Sequence, residues 1–343
     1  MTRMSTVFLS LIAFIAGGAC ITGNTTPLPL VVPTGWPKPV YDLKKNKTTQ
    51  EGFILGNNLF YDPILSRDST ISCASCHLSF TAFTHADHSL SHGIEGRFGK
   101  RNSIALENLA WSPSFMWDGG LNNLEQQAIN PITNRLEMDN TMANAVNAVN
   151  RSSKYRRLFY LAFNDSTVNA KTLLKALAQF TVMLESYNSK YDSVMRKEEG
   201  VAFTASEQNG YTLFKQHCNS CHTEPLFTNY SFQNNGLAPD TALNDLGRML
   251  ITHDEKDRYK FKVPSLRNIE FSAPYFHDGR VNKLKEAIEH YTSGIAETPS
   301  LAKELRHKIV LSAAEKKDLA AFLKTLSDRA FLYNAAFRNI SSK

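Results

Sequence analysis

The sequence has little of what would place it in several large classes of protein. Five cysteines in 343 residues are too few for a disulfide-stapled scaffold. The most apolar run, Val7 to Ile15, falls well short of the ~20 residues that a membrane-spanning helix needs. Lysine and arginine outnumber aspartate and glutamate 38 to 32, yet no run of them forms a stripe that could track a phosphate backbone, so no nucleic-acid partner is expected. No stretch alternates polar and apolar residues at period two for long, and Val, Ile and Thr do not cluster, which argues against a sheet-based fold.

What is present is ordinary in bulk and specific in detail. Hydrophobic residues at 42% and charged residues at 20% describe a chain that folds around a core. Its length is about twice that of a usual domain, which predicts two. Residues 1–20 read as an export signal, because Arg3 precedes the apolar run and Ala16-Gly17-Gly18-Ala19-Cys20 supplies the small residues of a cleavage site. Cys20 stands where bacterial lipoproteins carry their lipid and would tether the chain to a membrane. Gly17 departs from the Leu such sites favour, and cleavage after Ala19 without lipid is the alternative. Residues 21–45 carry Pro27, Pro29, Pro33, Pro37 and Pro39, the composition of an extended tether or of a strap lying over the body.

Helices are predicted from caps and periodicity. Thr48 with Glu51 forms a capping box ahead of Phe53, Ile54, Leu59 and Phe60, and Asp62-Pro63 ends that helix. Thr204 with Glu207 caps a second that runs into Cys218. Further helices are expected at about 171–187 and, from the Ser312/Glu315 box, at about 312–326. The class is therefore mainly α with long loops. A repeat runs through it: Leu106-Glu107-Asn108-Leu109-Ala110-Trp111-Ser112 resembles Leu266-Arg267-Asn268-Ile269-Glu270-Phe271-Ser272, and Trp117-Asp118-Gly119 resembles His277-Asp278-Gly279, both at an offset of 160 that Leu124 and Leu284 keep. A constant offset over some twenty residues reads as duplication of one unit. The expected halves are residues 46–195 and 196–343, joined near 187–203, with the last helix packing back on the first half.

The chemistry lies in Cys73-Ala74-Ser75-Cys76-His77 and Cys218-Asn219-Ser220-Cys221-His222. Both are CxxCH, in which two thiols bond a haem covalently and the adjacent histidine supplies an iron ligand. With five Cys and ten His, composition alone predicts about 0.002 such motifs. A four-cysteine zinc site would use the same pairs but leaves both histidines unexplained and disagrees with export.

Around these motifs the sequence resembles the bacterial dihaem cytochrome c peroxidase family, which includes the MauG enzymes. The resemblance covers residues 48–328 and is carried by Leu55-Gly56, Leu59-Phe60-Tyr61-Asp62-Pro63, Ser72 to His77, Arg101-Asn102, Trp117-Asp118-Gly119, Glu137-Met138, Pro264 to Asn268 and Pro274 to Gly279. It implies two cytochrome-c-like haem domains in the periplasm, the first haem on His77 reacting with hydrogen peroxide and the second on His222 passing electrons to it. The electrons would come from a small redox protein, either a cytochrome c or a copper protein. Members are often homodimers.

The resemblance also implies roles. Gln127 and Glu137 would line the peroxide side of the first haem, with Glu137 as the acid and base and Pro131 shaping the loop. Trp117 would lie between the haems. Arg101 and Arg267 would pair with haem propionates, and Asn102 with the carbonyls of Ser272 and Pro274 would hold a calcium ion. His92 matches a loop histidine that ligates the first iron in some resting members, although its spacing to Arg101 is long and His85 and His88 compete. Tyr291 falls where electron-transfer members have a methionine ligand to the second iron, which is the MauG-like choice. His290 and Met249 are alternatives. The leading expectation is a peroxidase, followed by a MauG-like oxidase of a protein or organic substrate, then a dihaem electron carrier without enzymatic activity.

Overall fold

The structure, a computed structural model, describes residues 25–340. The expected export signal and Cys20 lie outside the described residues. Residues 25–45 are a strap rather than a free tether. Leu28 N donates to Thr48 O at 3.0 Å, and the Trp111 indole donates to Pro37 O at 2.7 Å. Trp36 meets Trp111 edge-on with ring centroids 5.0 Å apart, and Leu28, Leu30 and Tyr41 join the same apolar surface. Proline keeps this segment extended, and its apolar side chains hold it against the body.

The described chain is helical with little sheet. The first half contains α1 (Gln50–Tyr61), α2 (Leu124–Gln127), α3 (Ile129–Thr133), α4 (Met142–Arg151), α5 (Ser153–Phe163) and α6 (Ala170–Val182). The rest contains α7 (Lys190–Met195), α8 (Ala205–His217), α9 (Met249–Thr252), α10 (Leu284–Ser293), α11 (Ala313–Lys324) and α12 (Arg329–Leu332), with one antiparallel pair, β1 (Phe232–Gln233) and β2 (Phe261–Lys262). The boxes Thr204/Glu207 and Ser312/Glu315 cap α8 and α11 as read from sequence. At α1 the cap is Thr49, whose hydroxyl accepts from Gly52 N at 3.0 Å. The neighbouring Thr48 instead donates to Leu28 O, and Glu51 accepts from Thr26, so both expected box residues fasten the strap.

Two apolar cores result. The larger gathers Leu55 and Phe60 of α1, Phe159 of α5 and Phe180 of α6, and it also takes Phe331 and Leu332 of α12 and Phe337. Residues 331–337 therefore pack on the first half. The smaller core holds Phe214, Phe227, Ile288, Phe322 and Leu326 together with Tyr191 of α7. Tyr191 belongs to the second core although it precedes the expected boundary at 195, because α7 docks on α11 through Tyr191 N and Thr325 O at 3.0 Å.

The repeat is visible in the backbone. Asn108 and Asn268 are both left-handed, at φ 55° and 57°. Asn108 binds the end of α6, with its N–H on Leu184 O and its Oδ1 accepting from Ser186 N. Asn268 does the same at the end of α11, on Leu326 O and from Asp328 N. Met116 and Phe276 share a positive φ, and the bridges Phe115 to Leu121 and Tyr275 to Val281 close matching turns before α2 and α10.

Candidate functional site

Each CxxCH segment is a tight turn that brings its cysteines and histidine to one side. His77 N donates to Cys73 O at 3.0 Å, and His222 N donates to Cys218 O at 2.9 Å. No disulfide joins Cys73, Cys76, Cys218 or Cys221, and burial pushes the Cys73 and Cys218 thiols up to about 12. His77 Nδ1 lies 2.6 Å from Phe83 O, and His222 Nδ1 lies 3.1 Å from both Phe227 O and Pro264 O. A carbonyl only accepts, so Nδ1 carries the proton and Nε2 keeps a free lone pair. This backbone anchor is how proteins orient a histidine toward iron. Burial lowers both histidines, His222 to about 4, which keeps the imidazoles neutral and able to ligate.

The second turn opens on a broad cleft lined mostly by apolar side chains. Cys218, Cys221 and His222 line it, with apolar walls from Leu266, Ile288 and Leu319. Two thiols, an anchored imidazole and a large apolar cleft fit a covalently attached haem.

The sequence offers Tyr291, His290 and Met249 as candidate ligands at this site. Tyr291 of α10 lines the cleft. Its hydroxyl is pushed up to about 12 by burial, with the nearby Cys218 and Cys221 adding to the shift. His290 is turned to Asn235 O through Nε2 at 2.9 Å. Neither His290 nor Met249 is among the residues lining the cleft.

At the first turn, Glu137 is half-buried, and burial pushes its carboxyl above the ordinary value. Its charge acts on both Cys73 and Cys76, so the carboxyl lies near the first haem motif. Asn134 Nδ2 donates to Glu137 Oε1 at 2.7 Å. Gly93 lies against it: a Cβ there would sit 2.2 Å from Glu137 O. Asn134 and Gly93 were not singled out from sequence, although an asparagine three residues ahead of a glutamate is a recognisable turn signal. Gln127 places its Nε2 3.9 Å from Met116 Sδ. His92 packs against His85 and His88, with ring centroids 5.0 and 4.5 Å away. The Cys76 thiol donates to His92 O at 3.4 Å.

Trp117 also lines the cleft, and its indole donates to Asn102 O at 2.9 Å. Asn102, Ser272 and Pro274 lie in the same wall, but the Asn102 amide donates to His88 O and Ser89 O at 3.2 and 3.0 Å. Both arginines expected at propionates are engaged by carboxylates. Arg267 is fully buried, with two bonds to Asp192 at 2.9 and 2.7 Å and two to Pro225 O. Arg101 binds Asp118 and Asp245, each at 2.6 Å. A buried guanidinium needs a paired anion; Asp118 lies in the Trp117-Asp118-Gly119 motif, whereas Asp192 and Asp245 belong to no motif legible in the sequence.

Residues 50–200 match the family described as di-haem cytochrome c peroxidase. The chain is 34% identical to the methylamine utilization protein MauG of Methylophilus methylotrophus, over 84% of this chain and 86% of that one. This chain belongs to the dihaem cytochrome c peroxidase and MauG family. It is also 36% identical to the cytochrome c551 peroxidase of Nitrosomonas europaea, over 80% of this chain and 79% of that protein. Among solved structures it resembles a MauG-like protein associated with microbial copper homeostasis, at a TM-score of 0.80 and 32% identity, covering 92% of this chain and 99% of that one. Members of this family are oxidoreductases, and relatives under both names, MauG and peroxidase, are about equally similar.

Proposed function

We propose that this protein is a periplasmic dihaem c-type peroxidase that reduces hydrogen peroxide to water with electrons from a small cytochrome c or copper protein. The observation that carries this reading is Glu137, a carboxyl whose pKa is raised by burial and which lies near Cys73 and Cys76. An electron carrier has no use for an acid and base at a haem pocket, whereas peroxide reduction does.

In this reading Cys73, Cys76 and His77 hold one haem and Cys218, Cys221 and His222 the other, and the two irons supply the redox chemistry. Asn134 occupies Oε1 of Glu137, so the proton resides on Oε2, from which it is delivered to the departing oxygen. Gly93 lets the turn closed by the His92–Phe98 bridge lie directly against the Glu137 backbone. Trp117 joins the second cleft to Asn102, whose amide holds the loop that follows the first motif. Asn102, with the Ser272 and Pro274 carbonyls, is the proposed holder of a calcium ion, for which an oxygen-only donor set is suited. Gln127 is assigned a supporting role on the peroxide side.

A second reading, a MauG-like oxidase acting on a protein or organic substrate, is favoured by Tyr291 in the second cleft. A phenolate oxygen is a hard anionic donor, unlike the thioether of electron-transfer members. Denaturing mass spectrometry should show two haem masses on the exported chain, with Cys218→Ala losing one. Protein carrying both haems should then turn over peroxide with a reduced small cytochrome. Stoichiometric peroxide consumption without donor turnover would move the assignment to the MauG-like reading, and no reaction with peroxide would leave the carrier.

A further inference from the structure

The loop that runs from the first haem motif to His92, at the start of the His92–Phe98 bridged turn, brings three histidines to one point. The ring centroids of His85, His88 and His92 lie 4.5 to 5.0 Å apart in every pairing. Each offers a ring nitrogen, and these nitrogens all lie within 4.8 Å of one another. His85 is only 5% exposed, and its Nδ1 is buried without a hydrogen-bond partner. Buried imidazole nitrogens are nearly always satisfied, so an orphan nitrogen beside two further imidazoles needs an explanation.

We propose that His85, His88 and His92 form a binding site for a divalent late first-row transition-metal ion, Cu2+ in preference to Zn2+, at the edge of the first haem pocket and separate from both haem irons. The donor set decides the class of ion. Three imidazoles with no carboxylate or carbonyl among them suit copper, zinc or nickel and disfavour calcium and magnesium. In the order of affinities for a common nitrogen site, copper stands highest. The ring nitrogens need to draw in only slightly, because ligands bound at ~2.0–2.1 Å lie closer together than this upper bound.

The surroundings prepare the site. His88 Nδ1 faces Ala86 O at 3.4 Å, leaving Nε2 to ligate, the arrangement by which a ligand histidine is oriented. The loop is held from both sides. Asn102 donates to the carbonyls of His88 and Ser89, and Gly279 approaches Ser89 so closely that a Cβ would lie 2.2 Å from its carbonyl oxygen. On the other side Gly93 is seated on Glu137. The Cys76 thiol against His92 O makes the site a direct neighbour of the first haem attachment.

The test uses protein with both haems counted beforehand, so that a failure of haem attachment is seen separately. The protein is stripped with a chelator, calcium is restored, and Cu2+ or Zn2+ is added and measured by equilibrium dialysis with elemental analysis. One ion per chain is expected, with nitrogen hyperfine structure from imidazoles in the copper electron paramagnetic resonance spectrum. His88→Ala, at an exposed position, and His92→Ala should each weaken binding by about 100-fold or more, while thermal melting shows that the variants remain folded. Absence of a stoichiometric ion, or binding that both variants leave unchanged, would overturn the proposal. So would a change in the spin state of the first haem in His92→Ala protein free of added copper and zinc, since His92 would then be an iron ligand.

Discussion

The indole of Trp117 donates to the backbone carbonyl of Asn102 over 2.9 Å, and this bond links the wall of the second cleft to the loop after the first haem motif. Trp117 O in turn accepts from Lys262 N of β2 at 2.7 Å, so the residue is held from both halves. Trp117→Phe should keep both haems and slow electron passage between them, lowering steady-state peroxide turnover by about tenfold or more while leaving the first encounter with peroxide nearly unchanged. Stopped-flow spectra of each haem separate the two steps. Equal loss in both would assign Trp117 to packing alone.

Glu137 should be needed for chemistry and dispensable for folding. Glu137→Gln retains the bond from Asn134 through its amide oxygen but cannot carry the proton, and should slow reaction with peroxide by about 10²-fold or more. Haem content and melting temperature are the controls. Because burial raises this carboxyl, the pH profile of wild-type turnover should show an ionisation above the usual glutamate range, and the variant should lack it.

Tyr291 lines the second cleft beside Cys218, Cys221 and His222. Tyr291→Phe should alter the absorption spectrum and potential of the second haem and leave the first nearly intact. A charge-transfer band from a methionine ligand in the native protein would contradict this and return Met249 to consideration.

Glu107 supplies a pH dependence with a definite sign. It is buried between the halves and accepts from Asn268 Nδ2, and burial raises it from 4.5 to about 8. The native state thus keeps a proton that the unfolded chain releases above about 4.5, so unfolding frees a proton in this window and stability falls as pH rises. The stabilisation is whole below about 4.5 and lost by about 8. Glu107→Gln cannot ionise, and its stability relative to wild type should rise across that window by on the order of a few kcal/mol. A difference in unfolding free energy that stays flat with pH would show that Glu107 is ionised in the native protein.

The sequence by itself determined the haem motifs, the helical class, the capped starts of α8 and α11 and the duplication. All of these rest on spacing along the chain: two thiols and an imidazole must share one turn, a capping box joins residues three apart, and a repeat keeps its offset whatever surrounds it. Other features were decided only by tertiary structure. Thr48 lost its capping role to Thr49 because the strap offered it the Leu28 carbonyl. Arg101 and Arg267 were drawn to aspartates distant in sequence because a guanidinium removed from water requires an anion within reach. Tyr191 joined the second core across the expected boundary, and His85, His88 and His92 became a cluster only when Asn102, Gly279 and Gly93 clamped their loop from both sides. Such partners are set by which surfaces meet in the folded chain, and local spacing carries no record of that.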